Sequence, residues 1–287
     1  ILTPSDRFKP CIVCVHSVAD GPGNLWDCPL RVAGMLEALN RQSNVRWCEY
    51  VVQHHAYSRY IGEFWNTISN VVFIIVGLAG LQRIRRWQLP RSFIFVEMSI
   101  VVVGLGSMLF HGTQSYIGEM LDELPMSIMG CGYLWCTGGL HWVSSPPYAH
   151  AWIIYACMVT YAWVQYVVKH NYQMFLLCFT FQILLPALIS FAAGGPLSKQ
   201  DNQPESLCER VFGGVRKRWW LFLVLILTGK SIWEYERYLH RQGACPTRED
   251  DIRFWLHPLW HVFSAMAHIS WTGYVGCIYN LRKQKCA

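Results

Sequence analysis

From residue 64 onward the chain is a succession of apolar runs separated by short polar connectors. Seven runs stand out, at 64–81, 93–110, 124–143, 151–168, 174–193, 219–235 and 258–279. Each approaches the roughly 20 mostly apolar residues that a helix needs to cross a bilayer. Breaker clusters close two of them, Ser144-Ser145-Pro146-Pro147 after the third and Gly194-Gly195-Pro196 after the fifth, as chain-turning residues do. The expected architecture is all-α, a polytopic membrane protein built as a seven-transmembrane-helix bundle. Residues 1–60 show no sustained period and read as an irregular segment outside the bilayer, with a short helix within 32–42. Residues 61–281 are then the membrane domain and 282–287 a tail.

Composition and charge decide how that bundle sits. Only 15% of the 287 residues are charged and 53% are apolar, against about 25% charged in ordinary soluble domains. The net charge of +6 raises nucleic acid as a partner, but the basic residues flank apolar runs instead of forming a soluble patch. A membrane is the expected partner, and nucleic acid is not. Seven spans put the termini on opposite sides. One face holds four Arg in 83–91, five Lys or Arg in 199–218, and the tail residues Arg282, Lys283 and Lys285; the other, the long N-terminal segment excluded, carries Lys169, Arg237, Arg241, Arg248 and Arg253. The excess of cytosolic positive charge in membrane proteins then predicts a cytosolic C-terminus and a lumenal N-terminus. The tail, with Lys283 and Lys285, resembles the dilysine retrieval signal of endoplasmic-reticulum membrane proteins, so that compartment or the Golgi is expected. Cys48 and Cys245 both fall on the non-cytosolic side, where an oxidising compartment permits a disulfide. Cys11-Ile-Val-Cys14 has no second pair and is weak as a metal motif.

The candidate chemistry is at the run ends. Ser107 and His111 are four residues apart at the end of the second run, which on a helix stacks them on one face. Asp122 and Glu123 stand at the head of the third run. His257 and His261, again four apart, begin the seventh in Leu256-His257-Pro258-Leu259-Trp260-His261. With the topology above, all of them lie at one depth, towards the non-cytosolic side. Ionisable groups there are costly and point to function. Two imidazoles from one helix and a third from another make a three-histidine zinc site with an open fourth position for water. A histidine pair on one helix is more often simply packed; the shared depth and the nearby carboxylate favour ligation. His268 has no partner in the sequence and reads as core.

Four motifs in order resemble the alkaline ceramidases of the CREST superfamily of seven-helix membrane hydrolases. They are Glu63-Phe-Trp-Asn-Thr67 with Ser69-Asn70, Gly106-Ser-Met-Leu-Phe-His111, Leu121-Asp-Glu-Leu-Pro125 and His257-Pro-Leu-Trp-His261. The resemblance implies zinc on His111, His257 and His261, with Asp122 working beside the metal-bound water and Ser107 beside the substrate amide. It implies hydrolysis of the N-acyl bond of a ceramide-type lipid. It also implies a calcium site at Trp47, Glu49 and Glu63. Arg46 stands where the family usually has Asp, which weakens that site. Two alternatives stay open: a hydrolase of the same superfamily acting on another lipid, and a seven-helix lipid receptor with structural zinc.

Overall fold

The computed structural model describes residues 41–53, 56–138, 147–192 and 214–286. Among these the regular structure is helical, with one isolated bridge between Gln42 and Ser115 and no strand. In chain order the helices are α1 (Cys48–Gln53), α2 (Phe64–Ser69), α3 (Val71–Trp87), α4 (Arg91–Thr113), α5 (Tyr116–Gly138), α6 (Pro147–Lys169), α7 (Tyr172–Ala192), α8 (Val215–Arg241) and α9 (Leu256–Cys286). The short helix expected within 32–42 falls almost wholly outside the described residues, as do the Cys11-Cys14 pair and most of the basic 199–218 connector.

Among the described residues, three stretches are long and apolar enough to cross a membrane: Phe64–Trp87, Arg91–Thr113 and Tyr172–Ala192. The other long helices are interrupted by polar residues such as Asp122 and Glu123 on α5 or Glu236 on α8. Two apolar runs take a shape the pattern does not predict. The first breaks at Asn70, where α2 ends and α3 begins. Its short polar side chains turn back on their own backbone, with Asn70 Nδ2 donating to the Asn66 carbonyl at 2.7 Å and Ser69 Oγ to the same oxygen at 3.0 Å. Such bonds compete with a continuous helix.

The third run begins earlier than expected. Helix α5 starts at Tyr116, so Asp122 and Glu123 lie in its second turn and not at a helix mouth. The cause is a tight reversal after α4. Gln114 takes a left-handed conformation (φ 54°), and its N–H bonds to the Phe110 carbonyl at 2.7 Å, capping α4, a common way for a helix to stop. The segment before α1 reinforces the turn, with Ser43 N–H donating to Gln114 O at 3.0 Å and Tyr116 N–H to Arg41 O at 2.9 Å.

Helix contacts run from α3 to α4, α4 to α5 and α5 to α7, with α6 against α7; α8 packs along α9, and α9 returns to α3. Trp219 Nε1 donates to Ser190 Oγ at 2.8 Å, joining α8 to α7. The helices thus surround a largely apolar cavity. The closest helix approach is between α4 and α5. Pro125 lacks the N–H that the Leu121 carbonyl would otherwise accept, and Gly106 lies against that carbonyl, where any Cβ would overlap it. Small residues permit such packing between membrane helices. This contact sets Ser107 beside Asp122.

Candidate metal centre

The centre is assembled from two helices. His111 comes from the last turn of α4, and His257 and His261 from the first turns of α9. All three are at most 3% exposed. Their ring centroids are 4.8 Å (His111–His257), 5.5 Å (His111–His261) and 4.6 Å (His257–His261) apart. One ligand atom from each lies within 4.8 Å of the others.

What aims the rings is on their outer side. His111 Nδ1 meets Glu63 Oε2, His257 Nδ1 meets Glu236 Oε2 at 3.2 Å, and His261 Nδ1 meets Ser69 Oγ at 2.7 Å. With every Nδ1 engaged, each imidazole has Nε2 left to offer, and His111 Nε2 is buried with no hydrogen-bond partner. Metal-bound histidines are braced in this way, the outer partner fixing tautomer and orientation. The donor set fits a divalent metal that accepts nitrogen ligands.

Local structure holds each brace in place. Glu63 precedes α2 in an extended conformation; its N–H donates to His111 O at 3.0 Å and Gly62 N–H to Gly112 O at 2.9 Å. Glu236 is held by its second oxygen, which accepts from Cys48 N–H at 3.1 Å. Cys48 is in turn joined to Cys245 by a disulfide with Cα atoms 5.3 Å apart, packed against Leu239 and Leu256. The covalent bond therefore fixes the backbone that fixes the brace.

The cavity begins at this centre. Ser107, Asp122, Glu123, His257 and His261 line it. Ser107 is 2% exposed, while Asp122 keeps partial exposure. The Ser107 hydroxyl stands against the Asp122 carboxyl, which is also within Coulombic reach of His111. Further in, the walls are Phe73, Val103, Met126, Met129, Phe179 and Ile226, a lining for hydrocarbon. The arrangement is a metal-binding face, a carboxylate and a hydroxyl at the head of an apolar pocket.

A family model described as Ceramidase matches residues 40–286. The chain belongs to the ceramidase family. It is 36% identical to alkaline ceramidase 3 of Mus musculus over 94 residues, about a third of each chain. It is 26% identical to the alkaline ceramidase of Arabidopsis thaliana over 224 residues, covering 77% of this chain and 78% of that one. To alkaline ceramidase YPC1 of Saccharomyces cerevisiae it is 25% identical over 240 residues, 78% and 72% of the two chains.

The acids near α1 carry different loads. Glu49 accepts from the N–H groups of Trp65 at 2.7 Å and Asn66 at 2.8 Å, satisfying donors that a helix start leaves free. Burial pushes the Glu49 carboxyl up to about 7, against the pull of these N–H groups. Glu63 Oε1 and Asn66 Oδ1 remain without hydrogen-bond partners, oxygen donors of the kind a hard cation takes. Arg46 is turned away, bonded to Gln42 and lying over the Tyr50 ring at 4.5 Å. Trp47 packs its ring on His257, centroids 3.9 Å apart.

Sequence reasoning missed Glu236, whose setting Trp233-Glu-Tyr-Glu236-Arg looks like an ordinary polar helix end. It also left His268 without partners. His268 is in the core as expected, but its Nε2 meets Glu97 Oε2 at 2.8 Å and its Nδ1 the Tyr133 hydroxyl at 2.7 Å.

Proposed function

We infer that this protein hydrolyses the N-acyl amide bond of ceramides inside the membrane, using zinc held by His111, His257 and His261, and releases a long-chain base and a fatty acid. The observation that carries this is the set of three buried imidazoles, each braced at Nδ1, two of which line an apolar cavity together with Asp122 and Ser107. Zinc bound there polarises an amide carbonyl and lowers the pKa of a water. The protein's own groups do the rest. Asp122 accepts the proton of the attacking water and delivers it to the nitrogen as the C–N bond breaks, so one carboxylate serves as base and then as acid. Ser107 donates to the oxygen on which negative charge grows, an interaction typically worth about 3 kcal/mol. The apolar walls hold the hydrocarbon and keep bulk water out.

In this reading the seven apolar runs are seven spans, the C-terminus is cytosolic, and the centre lies towards the lumen of the endoplasmic reticulum or Golgi. Glu49, Glu63 and the Trp47 segment take calcium, supported by the unpartnered oxygens of Glu63 and Asn66; there the cation braces the brace of His111 and takes no part in the reaction. The test is fatty-acid release from a ceramide by detergent-purified protein, wild type beside His261→Ala, with zinc measured in both. Activity and zinc in the first and neither in the second are expected. An active His261→Ala protein overturns the zinc mechanism, and an inert, zinc-loaded wild type overturns the substrate.

A further inference from the structure

Two glutamates one helical turn apart on α5 have unlike surroundings. Glu119 is fully buried and its carboxyl is met by this chain's own donors: Asn44 N–H at 2.6 Å, Asn44 Nδ2 at 3.3 Å and the Tyr166 hydroxyl at 2.7 Å. Glu123 is 5% exposed, lines the cavity, and its Oε2 has no partner at all. Tyr166 and Tyr172 face the Glu123 carboxyl, so the empty position belongs to one oxygen only. A buried polar atom without a partner costs about 1–3 kcal/mol, more for a charged group. As a carboxylate this oxygen accepts, and in the protonated acid it can also donate. A hydroxyl can meet either form, so the missing partner is a polar group delivered by whatever fills the cavity.

Glu123 follows Asp122 directly, and consecutive residues on a helix do not face one another. Both line the cavity, so they address two separated points of one ligand. If Asp122 serves the scissile amide, Glu123 addresses a polar group a few bonds away. We propose that Glu123 Oε2 makes a hydrogen bond with a hydroxyl of the long-chain base and so selects lipids whose amide nitrogen is borne by a hydroxylated chain. This deepens the ceramidase reading and rests on it.

The test compares kcat/KM of the purified, zinc-loaded protein for a ceramide, a matched ceramide lacking the C1 hydroxyl and one lacking the C3 hydroxyl. The same series is run on Glu123→Gln and Glu123→Met. The wild type should prefer the full ceramide to one of the two analogues by at least about tenfold, as sites that pair a substrate hydroxyl do. In both variants that preference should fall towards one while bound zinc stays at the wild-type level. A wild type that hydrolyses all three alike overturns the proposal, as does a preference that survives in the variants, which would leave the Glu123 oxygen to a water. Should a variant lose fold and metal together, the wild-type ratio alone decides. A wild type that hydrolyses none of the three refutes the ceramidase reading instead.

Discussion

Helices α4 and α9 meet twice, and each time they bury histidine against glutamate. At one meeting His111, His257 and His261 are backed by Glu63, Glu236 and Ser69. About two turns along α9 from His261 and about four turns along α4 from His111, His268 pairs with Glu97 at 2.8 Å, and Arg83 from α3 closes on the other Glu97 oxygen at 2.8 Å and on Thr272. The composition is alike and the wiring opposite. In the second cluster both His268 nitrogens and both Glu97 oxygens have partners from the chain itself, Tyr133 completing the set. In the first, the rings are held from behind and face one another across a shared centre, with His111 Nε2 left over. A closed network pins helices together; an open one is built for something the chain does not contain. Arginine makes the difference, since Arg83 is permanently charged and takes the Glu97 oxygen that His268 leaves.

The sharpest way to break the comparison is to exchange its histidines. His257→Ala or His111→Ala should abolish metal binding and turnover, whereas His268→Ala should keep its zinc; equal metal loss in both, by metal analysis of the purified proteins, would erase the distinction. The next largest effect belongs to the closed cluster. Arg83→Ala leaves one oxygen of the fully buried Glu97 unpaired and removes its permanent countercharge, and breaking a buried pair in this way costs about 3–5 kcal/mol. Thermal unfolding in detergent should register that loss while the zinc stoichiometry stays unchanged. Glu63→Gln is smaller: the ring is still contacted but less firmly held, and metal affinity should fall about 10- to 100-fold, read by competition with a chelator.

The smallest effect concerns pH. The Glu49 carboxyl, ordinarily near 4.5 and raised by burial to about 7, keeps its proton in the folded protein over a range where the unfolded chain has lost it. The folded state then binds more protons, so stability falls as pH rises from about 4.5 to 7 and levels off above. The slope should be seen in chelator, vanish in Glu49→Gln, and flatten with added calcium, which holds the carboxylate form. A chelator slope unchanged in Glu49→Gln assigns the titration elsewhere.

The sequence announced the open cluster and hid the closed one, for a physical reason. His111, His257 and His261 are visible because i,i+4 pairs with Ser107 and with each other declare a shared face at a common depth. Glu97 is a single acid inside an apolar run, and its partners lie 14 and 171 residues away; no local spacing encodes such a pairing. Glu236 is hidden in the same way, its contacts with Cys48 and His257 created only by packing. The early start of α5 escaped because Tyr116 to Glu123 looks like a polar connector. Its acids are tolerable in a helix only because Asn44 and Tyr166, remote in sequence, hydrogen-bond Glu119. The apolar runs, by contrast, were readable as helix from their own residues wherever they are described, except for the break of the first at Asn70.

The covalent link between Cys48 and Cys245 spans 197 residues, and the last two histidines lie beyond its far end. During synthesis the first helices are made long before that partner cysteine or α9 exists. The chain therefore passes most of its synthesis with one of the centre's three histidines and an unanchored brace. The metal-binding face is completed only by the final helix.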